Sequence, residues 1–165
     1  MAFHEYELQS EWRVRARLEE VAELVAEGVA DPRALVRYWP EANVDYRVLE
    51  WGHSCGLHRV LEAHTKGFLP YRLRWRITIV VAEFPRRYRM VTEGDLAGTG
   101  TWTIDPDGDD VVVRFDWRVR AEKPLLRFLS VLLRPLFAAN HRWAMARGER
   151  VLRRELARRR SAAAA

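Results

Sequence analysis

The chain carries a single cysteine, Cys55, among its 165 residues. One thiol cannot form an intramolecular disulfide, so nothing implies an oxidising compartment. No stretch approaches the ~18 consecutive apolar residues of a spanning helix. The opening residues, MAFHEYELQSEW, lack the apolar centre of a secretory leader, and the cytoplasm is the expected location. Lysine is scarce, and arginine supplies almost all of the positive charge behind a formal balance of +5. Phosphate and calcium loops are missing too. GTGT at Gly98–Thr101 lies in a strand pattern without the following helix that phosphate binding needs. PDGDD at Pro106–Asp110 is too short for a calcium loop and lacks its bidentate glutamate. His53, Cys55 and His58 share a glycine-bounded turn, but no helix N-terminus activates the thiol and no third residue orients a base.

Against these absences stand a hydrophobic fraction of 48% and a charged fraction of 31%, the proportions of a soluble globular protein. The expectation is one domain, able to bind a ligand, over residues 1–160 and a disordered tail over 161–165. Seven Trp, six Phe and five Tyr are enough to build a core and wall a pocket besides. The basic end, RRELARRR, reads as a solvated helix terminus whose cations complement the dipole. A nucleic-acid footprint is the sharper alternative.

Residues 5–16 alternate, with Tyr6, Leu8, Ser10, Trp12, Val14 and Ala16 on one face, which predicts a half-buried strand. Leu18–Glu27 predicts a helix stopped by Gly28. Asp31 and Pro32 open a second helix over Pro32–Tyr38, which Pro40 ends. Six strands follow, over Asn43–Trp51, Leu57–Lys66, Tyr71–Glu83, Arg86–Gly94, Gly98–Asp105 and Asp110–Glu122. PDGD is the strongest of the turns between them. A long helix runs from Pro124 to about Arg160. The order β-α-α-β-β-β-β-β-β-α predicts an α+β class. Its seven-stranded, strongly twisted antiparallel sheet would wrap around the closing helix, with two short helices after strand 1.

Turn lengths predict registers. A two-residue loop at Phe84-Pro85 places Ile79 opposite Met90 and Ile77 opposite Thr92. Tight turns further on pair Met90 with Trp102, and Trp102 with Val113. These agree on an inward face that carries Trp12, Trp75, Tyr88, Met90, Trp102, Phe115 and Trp117. The third strand is ambiguous. A four-residue turn at Gly67–Pro70 puts Lys66 opposite Tyr71 and points His58, Glu62 and His64 inward, whereas the residue pattern favours a one-residue slip that turns Leu61 and Ala63 inward instead. On the closing helix, Leu126, Leu129, Leu133, Phe137, Ala144 and Val151 share an arc with Asn140 and Arg147. A buried amide and guanidinium need a partner or a wet cavity.

Several phrases, in this element order, carry a resemblance. They are Trp39-Pro40, KGFLPYRLRWR at Lys66–Arg76, GTGTWTI at Gly98–Ile104, RFDWRV at Arg114–Val119 and NHRWAMARGERVLRREL at Asn140–Leu156. Together they resemble the START-like, birch-pollen-allergen-like superfamily (SRPBCC), and within it the bacterial polyketide cyclase/dehydrase and lipid-transport group. The resemblance implies a helix-grip fold with a deep hydrophobic cavity between sheet and closing helix. It implies a hydrophobic or aromatic ligand that is lipid-, polyketide- or isoprenoid-like. It also covers aromatase/cyclases, dehydratases and RNA-associated members, so fold does not settle function.

Two candidate sets follow. Trp12, Trp75, Tyr88, Met90, Trp102, Phe115, Trp117, Phe137 and Asn140 are the candidate ligand contacts, with plain core packing as the alternative. Glu62, His64 and Arg147 are the candidate catalytic groups of a polyketide cyclase or dehydratase, if the polar-inward register holds. Their plain alternative is a structural Glu62–Arg147 ion pair. No cofactor and no metal are expected. His58 and His64 lie roughly 20 Å apart along a strand, and Glu62 with His64 lacks a third ligand. A third reading is an RNA- or protein-associated module without ligand. Residues 125–137 are more apolar than one buried face requires. They suit a cavity mouth, a transient membrane contact or a dimer surface, or else ordinary packing. Monomer and homodimer stay equally open.

Overall fold

The alternation of the first strand is realised as β1 (Glu5–Arg15), with Tyr6, Trp12 and Val14 buried on its inner face. A computed structural model of the protein describes residues 5–122 and 130–164, by backbone alone for 130–133. After β1 come α1 (Leu18–Ala30), α2 (Pro32–Tyr38), β2 (Asn43–Glu50), β3 (Val60–Lys66), β4 (Arg72–Glu83) and β5 (Arg87–Gly94). They are followed by β6 (Leu96–Asp107), β7 (Asp110–Ala121) and the closing helix α3 (Ser130–Ala163). The seven strands form one antiparallel sheet in the order β1-β7-β6-β5-β4-β3-β2. β1 lies along β7 from Glu5↔Arg120 to Arg15↔Asp110. The helix pair α1–α2 therefore carries the chain from one edge of the sheet to the other. No helix among the described residues is long and apolar enough to cross a membrane.

The expected end of α1 is corrected. The helix runs through Gly28 to Ala30, and the N–H of Asp31 bonds to the Glu27 carbonyl. A Cβ on Gly28 would come within 2.9 Å of Leu35 Cδ2. The glycine thus lets α2 pack closely and does not cap α1.

The sheet registers come out as expected in the centre for a reason the turns alone did not supply. Ile79 pairs with Met90 and Ile77 with Thr92. The turn before β5 spans three residues, because Glu83 pairs with Arg87, and an irregularity between Ile79 and Val81 takes up the extra residue. Farther along, Tyr88 rather than Met90 faces Trp102, and Phe115 rather than Val113 faces Trp102. Both shifts are by two, so every side chain keeps its face.

β3 takes the other register from the one that turns Glu62 and His64 inward. Lys66 pairs with Arg72, Leu61 with Ile77 and Ala63 with Trp75. The β3–β4 loop is five residues, Gly67 to Tyr71, one longer than the turn signal suggested. Leu61 and Ala63 are buried, while Glu62 and His64 lie on the outer face, 3.9 Å apart. The energetic reason is direct. The polar-inward register would set a carboxylate against Trp75 and Ile77 and expose Leu61. A bulge then restores the offset. His58, at φ 61°, donates its N–H to Ile79 O, and Ile79 N donates to Arg59 O. β3 consequently begins at Val60 and not at Leu57. The preceding loop is pinned by the buried Arg59, whose guanidinium bonds to the carbonyls of Val29 and Trp51.

Two apolar clusters fill the space between sheet and helices. One gathers Tyr6, Leu61, Ala63, Leu73, Trp75 and Ile77. The other gathers Trp12, Val21, Ile104, Val113, Phe115, Met145 and Leu152. Met90 and Trp117 pack against both.

α3 continues to Ala163, past the expected end at Arg160; alanine is the strongest helix former. Its basic end stays solvated, with the Arg158 and Arg160 side chains 62% and 47% exposed, yet it is also tied down. Arg160 Nε meets Glu20 Oε1 at 2.8 Å, and Arg159 bridges Glu27 and Glu155. These pairs fasten the end of α3 to α1. Pro135 lies inside the helix and is exposed. Leu126 and Leu129, and most of the apolar segment 125–137 read as a mouth or contact surface, lie outside the described residues and side chains, as does Leu133.

Candidate functional site

The inner face of the sheet, the α1–α2 pair and α3 enclose a cavity of about 360 Å³. That volume lies within the ~300–1,000 Å³ typical of small-molecule sites. Strand alternation supplies most of its wall. Trp75 and Ile77 come from β4, Tyr88 and Met90 from β5, Trp102 from β6, and Phe115 and Trp117 from β7. Trp102 stacks on Phe115 with ring centres 4.3 Å apart and planes 17° from parallel. Trp12 tilts against Trp102 at 5.4 Å, and Trp117 against Trp75 at 5.7 Å. α3 supplies the opposite wall through Phe137, Asn140, Ala144, Met145, Gly148, Val151 and Leu152. Gly148 is required there, because a Cβ would come within 2.9 Å of Trp39 Cη2 and 3.0 Å of Trp12 Cη2.

All nine side chains proposed from sequence as ligand contacts line this cavity: Trp12, Trp75, Tyr88, Met90, Trp102, Phe115, Trp117, Phe137 and Asn140. Asn140 also secures the rim, accepting a hydrogen bond from Phe68 N at 3.0 Å. Phe137 packs against Tyr6 at 5.2 Å and Tyr71 at 5.9 Å.

The three candidate catalytic residues are not brought together, and none lines the cavity. Glu62 and His64 lie on the outer face of β3. Arg147 points off the side of α3, where its guanidinium sits 4.4 Å over the Trp143 ring and 3.6 Å from Glu41. The helix is rotated relative to the arc drawn from Asn140 and Arg147. Its inward stripe runs Phe137, His141, Met145, Gly148, Leu152 and Glu155.

That rotation brings in a residue the sequence reading did not single out. His141 lines the cavity, is buried, and bonds through Nε2 to Ser10 Oγ at 3.0 Å. Its ring lies 5.5 Å from Trp117 and 6.3 Å from Phe115. Burial, assisted by the neighbouring Arg142 charge, pushes the imidazole pKa down to about 4, so the ring is neutral near pH 7. A signal for it was present: His141 falls four residues from both Phe137 and Met145, on one helical stripe.

Glu155 is the other titratable group in the wall. Hydrogen bonds from Arg158 and then Arg159 outweigh its desolvation and hold its carboxyl at about 2. Tyr38, also in the wall, donates to Glu27 Oε1 at 2.9 Å. Tyr46 donates to Asn43 Oδ1 at 2.7 Å, and burial raises its pKa. Burial likewise raises that of Tyr71. Among the described residues no group of three or more His, Cys, Asp or Glu could hold a metal ion. The cavity as built is thus an apolar, aromatic chamber whose wall carries a neutral imidazole, a Tyr71 hydroxyl and Trp39 and Trp117 indole N–H groups without partners among the described residues, and a neutralised ion-pair cluster.

No protein-family model and no curated protein matches the sequence. Solved structures do match the fold. A START superfamily protein from Mycobacterium smegmatis superposes with a TM-score of 0.69 at 13% identity, over 92% of this chain and 97% of its own. The Zhui aromatase/cyclase from Streptomyces sp. R1128 gives a TM-score of 0.67 at 17% identity, over 94% and 96%. Norcoclaurine synthase from Thalictrum flavum, in complex with dopamine and hydroxybenzaldehyde, gives 0.57 at 15% identity, over 86% of each chain. The chain, with its seven-stranded antiparallel sheet, two short helices after the first strand and a long closing helix, therefore has a START-like helix-grip fold.

Proposed function

We propose that the protein binds a hydrophobic or aromatic small molecule, of lipid, polyketide or isoprenoid type, in the cavity between sheet and α3. The observation that carries this reading is the ~360 Å³ chamber walled by Trp12, Trp75, Trp102, Phe115 and Trp117. Such rings offer flat apolar area at little entropic cost. The nine lining residues named above are its ligand contacts, residues 1–160 act as one binding domain, and the protein works in the cytoplasm. The similar structures lend support by their own ligands and reactions. One is an aromatase/cyclase, and another holds two small aromatics.

A cyclase or dehydratase reading based on Glu62, His64 and Arg147 is not advanced, because none of the three reaches the cavity. The nucleic-acid reading loses its main argument, since Arg158, Arg159 and Arg160 are engaged with Glu155, Glu27 and Glu20. The test is native mass spectrometry of protein purified from its own host. A co-purifying apolar or aromatic molecule is the expected result. Bare protein, together with no quenching of tryptophan fluorescence by any small aromatic, would overturn the proposal.

A further inference from the structure

We infer that His141, steadied by Ser10, is a polar anchor of the cavity and selects a planar aromatic ligand bearing a neutral hydroxyl or carbonyl oxygen. The inference rests on the binding reading above and gives that reading a ligand class. Its basis is the place of the imidazole in a largely apolar wall, where the other buried polar atoms without a partner among the described residues are the Tyr71 hydroxyl and the Trp39 and Trp117 indole N–H groups, and the indoles can only donate. Ser10 sits on β1 opposite Phe115 of β7 and occupies Nε2. Nδ1 has no hydrogen-bond partner among the described residues. A neutral imidazole presents one donor and one acceptor, and the serine hydroxyl can take either complementary role. When Ser10 donates to Nε2, Nδ1 carries the proton and serves a ligand carbonyl. When Nε2–H donates to Ser10, Nδ1 accepts from a ligand hydroxyl. One dyad therefore serves either oxygen function without any charge.

The surroundings argue against a charged ligand. A carboxylate taken into this chamber would need a cation beside it. Arg158 and Arg159 are committed to Glu155 and Glu27. Lys66 and Arg89 border the cavity but are exposed to solvent. The imidazole itself stays neutral, as its lowered pKa indicates. Planarity follows from the walls, with Trp102 stacked on Phe115 and the His141 ring lying 28° from the Phe115 plane.

The test titrates the full-length protein with 2-naphthol, naphthalene and 2-naphthoate, following tryptophan quenching. In the wild type 2-naphthol should bind about tenfold more tightly than naphthalene, the yield of one net hydrogen bond. 2-Naphthoate should bind most weakly. His141→Phe should bring 2-naphthol down to the level of naphthalene while naphthalene binding persists. Ser10→Ala, a smaller change, should cut the preference several-fold, so the inference stays exposed even if His141→Phe fails to fold. The ¹⁵N shift of His141 Nδ1 should move on adding 2-naphthol and stay put with naphthalene. Equal binding of naphthalene and 2-naphthol would overturn the anchor and leave the cavity reading standing. Tighter binding of 2-naphthoate would overturn the neutral ligand class. Binding of none of the three would overturn both the anchor and the cavity reading.

Discussion

The two halves of α3 bury one titratable residue each, and they treat it in opposite ways. In the half that faces the cavity, His141 is 7% exposed among Phe115, Trp117 and Met145, with only a serine hydroxyl for company. In the half that ends the helix, Glu155 is 6% exposed but receives two guanidinium groups. The imidazole gives up its charge and the carboxylate keeps its own. Burial alone decides neither outcome; the presence or absence of a counter-charge does. The contrast separates a chamber suited to a neutral guest from a clamp that holds α3 to α1.

The strongest way to break that division is to fill the chamber half. Gly148→Val would drive a branched side chain into Trp12 and Trp39. Overpacking of this kind should cost about 2–3 kcal/mol in urea unfolding and abolish aromatic binding. Unchanged binding would show that the cavity does not extend past Gly148.

The two halves should also titrate apart. The folded pKa of His141, at about 4, lies below its unfolded value of about 6.5. The unfolded chain therefore takes up the proton first, and stability falls as pH drops from 6.5 toward 4, by on the order of 3 kcal/mol. Glu20 and Glu155, both at about 2, are depressed as well, and their contribution is lost lower down, between about 4.5 and 2. Thermal midpoints across this range should show the upper slope flattened by His141→Gln and the lower slope flattened by Arg158→Ala, which removes the main support of the Glu155 carboxylate. An unchanged upper slope in His141→Gln would mean that His141 is not held neutral by the fold.

The smallest effect should come from a residue that touches neither half. Glu62→Gln, on the outer face of β3, should change stability by less than ~0.5 kcal/mol and leave ligand affinity alone. A large loss of affinity would return Glu62 to the site.

Much of this arrangement was legible in the chain. The run Tyr71-Leu73-Trp75-Ile77-Ile79 alternates so regularly that its inward face could be written down directly, and the same held for β7. Two-residue errors in pairing at Met90 and Trp102 did no harm, because a shift of two returns each side chain to its own face. β3 was different. Its facing turned on whether the loop after Lys66 holds four or five residues, a one-residue question that flips the whole strand. Leu61 and Ala63 were the better guide there, since burial of apolar surface outweighs an idealised turn. On α3, periodicity fixed a stripe only to within about one residue, and that residue was the difference between Arg147 and Gly148, and it hid His141 beside Asn140.

Local pattern by itself thus determined the element order, the aromatic inner face and the helix that covers it, because side-chain alternation and turn chemistry are properties of neighbours in sequence. The register of β3, the rotation of α3, the Ser10–His141 pair and the fastening of Arg159 and Arg160 to α1 were decided only in the folded molecule. Each depends on groups more than a hundred residues apart, or on one residue of loop length, where only packing and the pairing of buried polar groups separate the alternatives.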